Sequence, residues 1–202
     1  MKYGKKFFKH LKTELNNYFQ DYGEDARQVY MDSKSWTKVI SKNPVNERSL
    51  IDKVLYFIFN DCKSSNEYYR IDNSVYIDIK GGYFKDYNGS CYKLHKWKLM
   101  GAVEHENNYQ DWTDELVKLA YITCPLRVVI SYGDYQNEYK EAIKIANIIA
   151  KQIKLKDYVN NNQEYILIFG PRVKDIKENP NVNIAEMYKG YIFNGKEFVN
   201  LK

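Results

Sequence analysis

Leu99-Met-Gly-Ala-Val-Glu104-His105-Glu106-Asn107 decides how this chain is read. The run is apolar and strand-like until it ends in two carboxylates spaced i,i+2, and side chains at that spacing share one face of a strand. Two acids at the end of a hydrophobic strand repel each other and resist desolvation. They persist where a cation holds them or where the strand end is wet. On these residues alone both readings stay open.

The flanking sequence supplies the rest of a sheet. Residues 67–80, Glu-Tyr-Tyr-Arg-Ile-Asp-Asn-Ser-Val-Tyr-Ile-Asp-Ile-Lys, alternate β-branched and aromatic residues and predict a strand. Cys62 to Asn66 reads as a polar break before it. Gly81 to Ser90, with Gly81-Gly82 and Asn88-Gly89, predicts a turn or long hairpin loop, so residues 92–106 return as the next strand. A helix follows from about Asp111 to Thr123, with Trp112, Leu116 and Leu119 on one face and Pro125 as its stop. Leu126 to Ser131 is nearly continuous apolar sequence, the pattern of a strand covered on both faces. A helix over 137–155, a buried strand over 165–169 and a two-residue Asn194-Gly195 hairpin turn complete the series.

Upstream, residues 43–47 read as a loop and N-cap for a helix whose apolar face is Leu50, Ile51, Val54, Leu55, Phe57 and Ile58. Residues 1–42 predict two or three helical pieces broken near Tyr22-Gly23 and Ser33. Lys2, Lys5, Lys6, Lys9 and Lys12 alternate there with Phe7, Phe8, Leu11, Leu15 and Phe19. That pattern fits either a helix packed by its apolar stripe or a basic contact to phosphates. The order predicts an α/β fold: a mixed sheet flanked by helices over residues 43–202, preceded by an N-terminal helical extension over 1–42.

Composition limits the function classes. A chain of 202 residues can bury one sizeable core, and its net charge of +5 permits a polyanionic partner without requiring one. The 20 Tyr, 9 Phe and 3 Trp could stack on bases or sugars, although a Tyr and Lys bias also follows from AT-rich coding sequence. Cys62, Cys91 and Cys124 are odd in number and form no CxxC, which argues against a zinc ribbon or a disulfide framework and suggests a reducing, cytoplasmic setting. No apolar stretch approaches 18 residues, so no membrane partner is expected. No phosphate-binding Gly-rich loop and no Ser/His/Asp or Cys/His pairing stands out.

An acid on one strand of a hairpin, Glu-x-(Lys or Glu) on the next strand, then a helix and a buried strand: in this order residues 46–132 resemble the PD-(D/E)xK nuclease superfamily. Asp72, in Arg70-Ile71-Asp72, matches the first acid, Glu104 and Glu106 match the pair, and Glu47 matches the acidic helix position of part of that superfamily. The resemblance implies a restriction-endonuclease-like mixed sheet and metal-dependent hydrolysis of phosphodiester bonds in DNA. Mg2+ (or Mn2+) would be held by Asp72, Glu104 and the His105 backbone carbonyl, with Glu106 holding a second ion or acting on the attacking water. Asp78 rivals Asp72 as the first acid. The two stand about 20 Å apart along a regular strand, and the hairpin register decides which one faces Glu104.

The chain departs from the family's commoner pattern at Glu106, where lysine is usual and a minority carry a second glutamate. Lys118 could supply a displaced cation, or it could pair with Asp114 or Glu115 on the surface. The His105 side chain should point away from both glutamates. Arg70, Lys96 and Lys98 are the expected phosphate contacts, and related double-strand cutters often act as homodimers. The alternative function is a catalytically inactive nuclease-fold module that binds nucleic acid or protein.

Overall fold

Leu126–Gly133 forms a strand, β6, with seven of its eight residues buried. Val128 and Ile130 fill one face of the sheet and Val129 the other, which is why the segment needs no polar alternation. Its parallel neighbours are β5 (Lys96–His105) and β7 (Glu164–Pro171), reached through the helices α4 (Trp112–Ala120) and α5 (Lys140–Gln152). Antiparallel strands extend both sides. On one side lie β2 (Ile71–Ile79) and then β1 (Lys63–Tyr68); on the other lie β8 (Lys189–Phe193) and then β9 (Phe198–Asn200). The computed structural model describes residues 3–42, 47–68, 70–79, 83–85, 87–93, 96–137, 139–160 and 162–201, of which 67, 68, 83, 84, 92, 93 and 96 are described by backbone alone.

The molecule is therefore an α/β protein with a seven-stranded mixed sheet and, among the described residues, seven α-helices. Helices α4 and α5 cover one face with Trp112, Leu116, Leu119, Ala146 and Ala150. The other face is covered by α1 (Gly4–Met31), α2 (Ser33–Ile40), α3 (Leu50–Ile58) and α7 (Ile184–Met187). None of these helices is long and apolar enough to cross a membrane.

The N-terminal helices are set into this second layer. Phe7, Leu11 and Leu15 of α1 and Trp36 and Ile40 of α2 are buried in one core with Val103, Val128, Ile130 and Ile166 of the sheet. The apolar stripe of α1 thus packs, while Lys5, Lys6 and Lys9 face solvent and Lys12 pairs with Glu186. The break expected near Tyr22-Gly23 is a kink at Gly23, whose positive φ of 51° suits glycine. The break at Ser33 is the α1–α2 junction, where Asp32 caps α2 by accepting the Ser35 N–H.

Four segments differ from expectation. The strand expected over 67–80 is two strands, since the chain reverses at Arg70 (φ 61°) and the "polar break" 63–66 belongs to β1. An edge strand needs only one hydrogen-bonded neighbour and tolerates a polar sequence such as Lys-Ser-Ser-Asn, so it leaves no apolar period. The strand expected over 92–106 divides into β4 (Cys91–Lys93), paired with β3 (Tyr83–Lys85) in a separate ribbon, and β5. At the C-terminus the turn centres on Gly195-Lys196, with Asn194 bonded to Glu197, one residue later than Asn194-Gly195. The short helices α6 (Val173–Glu178) and α7 carry too few turns to show a period.

Candidate functional site

Side chains alternate along β5, so Ala102 and Glu104 face α4 while Val103 and His105 face the α1–α2 layer. Continuing the β2–β5 register one residue beyond Asn73↔Val103 brings Asp72 opposite Glu104. Half-buried Asp72 accepts the His105 backbone N–H through Oδ2 at 2.8 Å. The hairpin register thus selects between the two candidate first acids. Asp78 sits opposite Trp97 at the far end of β2 and pairs with Lys63 on the surface.

Glu104 is the most constrained acid of the site. Its side chain is 3% exposed, and Oε1 lies 2.8 Å from Lys118 Nζ in an ion pair. Burial pushes its pKa from 4.5 up to about 8. The Lys118 contact opposes that rise, and the charges of Asp72 and Glu115 reinforce it. Lys118 reaches Glu104 from the last turn of α4, also pairs with Glu115 one turn earlier, and donates to the Arg70 carbonyl at 3.0 Å. Burial works against the lysine's charge, yet its two carboxylate contacts outweigh it and raise its pKa. Lys118 therefore belongs to the acid site as well as to the helix surface.

Glu106 lies one residue past β5. Its N–H continues the parallel ladder to the Ile130 carbonyl, and its carboxylate accepts the Asn108 N–H at 2.6 Å. Burial raises its pKa, the Asn108 bond opposes this, and Glu115, Asp111 and Asp72 add repulsion. His105 points away as expected. Its Nε2 is 2.7 Å from the Tyr132 hydroxyl, which also receives the Trp36 indole N–H. Burial lowers the His105 pKa to about 3, so the ring is neutral at physiological pH.

Other expected residues lie elsewhere. Glu47 is exposed beside α1, where its charge bears on Tyr18, and does not join the acid pair. The acid that α3 buries is Asp52, which accepts from Asn73 Nδ2 on the opposite sheet face. The Ser49-x-x-Asp52 spacing, with Ser49 capping α3 through the Asp52 N–H, was the available sign of it. Arg70 offers the site its carbonyl while its side chain is in solvent. Lys98 is exposed six residues before Glu104, about 20 Å along β5. The side chain of Lys96 lies outside the described residues.

Two adjacent carboxylates, one of them buried, are donors of the kind a hard divalent cation takes. Among the described residues no three His, Cys, Asp or Glu side chains converge on one point. An ion here would fill its shell with backbone carbonyl, water and substrate oxygens, as Mg2+ commonly does. No protein-family model matches the chain, and the search of the curated proteins finds none similar to it.

Proposed function

We propose that this protein is a metal-dependent nuclease of the restriction-endonuclease-like type, cleaving phosphodiester bonds in DNA. The observation that carries the reading is the juxtaposition of Asp72 and buried Glu104 across the β2–β5 ladder, with the Lys118 ammonium against Glu104. The order α3, β1, β2, β5, α4, β6, with β5 antiparallel to β2 and parallel to β6, supports the fold assignment. Asp72 and Glu104 would hold Mg2+ or Mn2+, with the His105 carbonyl as a backbone ligand. Bound there, the ion would polarise the phosphate and lower the pKa of the attacking water.

The chain's own groups would then orient the substrate. Lys118 keeps its anchors on Glu115 and the Arg70 carbonyl, and an N–H released from Glu104 can turn to a phosphate oxygen. In this reading Lys118 supplies from α4 the positive charge that the motif usually supplies from the strand position held by Glu106. Glu106 is tied to the Asn108 N–H and shapes the turn beside the site. Plasmid nicking in Mg2+ or Mn2+ tests the proposal: wild type nicks, and Asp72→Asn and Glu104→Gln each lose at least about a hundredfold in rate, the scale of removing preorganised charge. Unchanged nicking by either variant would sink it.

The inactive-module reading has one observation in its favour, since the Lys118 ammonium sits against the Glu104 oxygen that an ion would take. It predicts undiminished DNA binding with no Mg2+ or Mn2+ uptake by calorimetry.

A further inference from the structure

Outside the carboxyl ends of β5, β6 and β7, where open α/β sheets form their ligand crevices, lies a cavity of about 270 Å3. Tyr109 stands in its lining with 54% of its surface in solvent, together with the buried rings of Tyr30, Trp36 and Tyr132, which are 4%, 1% and 7% exposed. Asn107, three residues after Glu104 and so about 10 Å along the chain, joins the lining and is tied to α2 through Thr37. Arg172 and Lys174 bring its positive charge, Met31, Ser33, Pro171 and Val173 fill the rest, and no Asp or Glu lines it. Their carboxylate partners lie outside the lining: Asp134 at 3.3 Å from Arg172 Nη2, Asp175 at 3.9 Å from its Nε, and Glu178 at 3.6 Å from Lys174. Arg172 Nε is buried and makes no hydrogen bond.

We infer that this cavity seats a single unpaired nucleotide of the strand bound at the acid pair, its base on the exposed Tyr109 ring and its phosphate toward Arg172 and Lys174. The inference rests on the nuclease reading for the strand's path and adds a substrate class: single-stranded DNA, or duplex with a locally unpaired nucleotide. Three features select that occupant. The exposed Tyr109 ring suits any base, because every base has a π-face. Arg172 and Lys174 reach their carboxylate partners only at 3.3, 3.9 and 3.6 Å, which leaves nitrogen donors that a phosphate can take. The volume falls below the roughly 300–1,000 Å3 of pockets for larger ligands and excludes a base pair, so a duplex must release a nucleotide to fill it.

The test is binding in EDTA of a single-stranded oligonucleotide carrying 2-aminopurine, with its blunt duplex and an abasic counterpart as comparisons. The wild type binds the single strand at least about tenfold more tightly than the other two and quenches the 2-aminopurine fluorescence on stacking. Tyr109→Ala, at a solvent-exposed position, weakens single-strand binding about five- to a hundredfold, the range for losing one stacked base, while Lys174→Ala weakens it less. Equal affinity for single strand and duplex, an abasic strand bound as tightly as the intact one, or wild-type affinity in Tyr109→Ala overturns the inference. Metal-dependent nicking with any of those results removes the nucleotide seat and leaves the nuclease reading standing. Base-dependent binding sensitive to Tyr109, in a protein that never nicks, keeps the seat and removes the nuclease reading.

Discussion

Glu104 carries a strong electrostatic conflict, a carboxylate at 3% exposure beside Asp72 and Glu115. Its pKa rises from 4.5 to about 8 in the folded chain, so between those values the native state holds a proton that the unfolded chain has released. Stability in EDTA must therefore fall as pH rises through that window. Glu104→Gln removes the titration, and thermal melts at pH 5 and pH 8 should differ less for the variant than for the wild type; parallel curves would contradict this. At the neighbouring position the Tyr132 hydroxyl serves both the Trp36 N–H and His105 Nε2. Tyr132→Phe leaves both buried groups short of a partner and should cost about 1–3 kcal/mol in urea unfolding. A change under 0.5 kcal/mol would show that the contact is not formed.

At the scale of elements, α1 is fastened at its start by Glu164 of β7, whose carboxylate accepts the Tyr3 and Gly4 N–H groups at 2.6 Å each. A negative charge there also complements the helix dipole. Glu164→Ala should cost about 1–2 kcal/mol, and Leu11→Ala, which empties a fully buried position, about 2–5 kcal/mol. Both are read from chemical denaturation, and a separate low-stability transition for α1 would show a helix that folds apart from the sheet. What could be read from sequence follows the same physics. β6 and β7 announced themselves because burial on both faces demands unbroken apolar runs. The pair Glu104 and Glu106 was visible because acids at the end of such a run conflict with it. Strand β1 was hidden, since an edge needs no apolar face. The choice of Asp72 over Asp78 was hidden too, because register is a property of two strands at once. Lys118 could be read from sequence either as a displaced cation or as a surface partner of Asp114 or Glu115, and the packing of α4 on β5 sets it against both Glu104 and Glu115.

For the whole molecule, the sheet gathers three features at one end. The acid pair lies where β2 begins and β5 ends, Lys118 arrives from α4 on one face, and the aromatic cavity opens between α2 and the ends of β6 and β7 on the other. A strand laid across that end could meet all three, which gives the fold a reason to place a buried carboxylate where it costs stability. Exposed Lys98, near the opposite end of β5, lies off this path. The central claim is that Asp72 and Glu104 together hold a divalent cation, and calorimetric titration with Mn2+ tests it most directly. The account predicts saturable binding by the wild type and by Asp78→Asn, with affinity lowered at least about tenfold in Glu104→Gln and in Asp72→Asn. No Mn2+ binding by the wild type, or unchanged binding by Glu104→Gln, would contradict it.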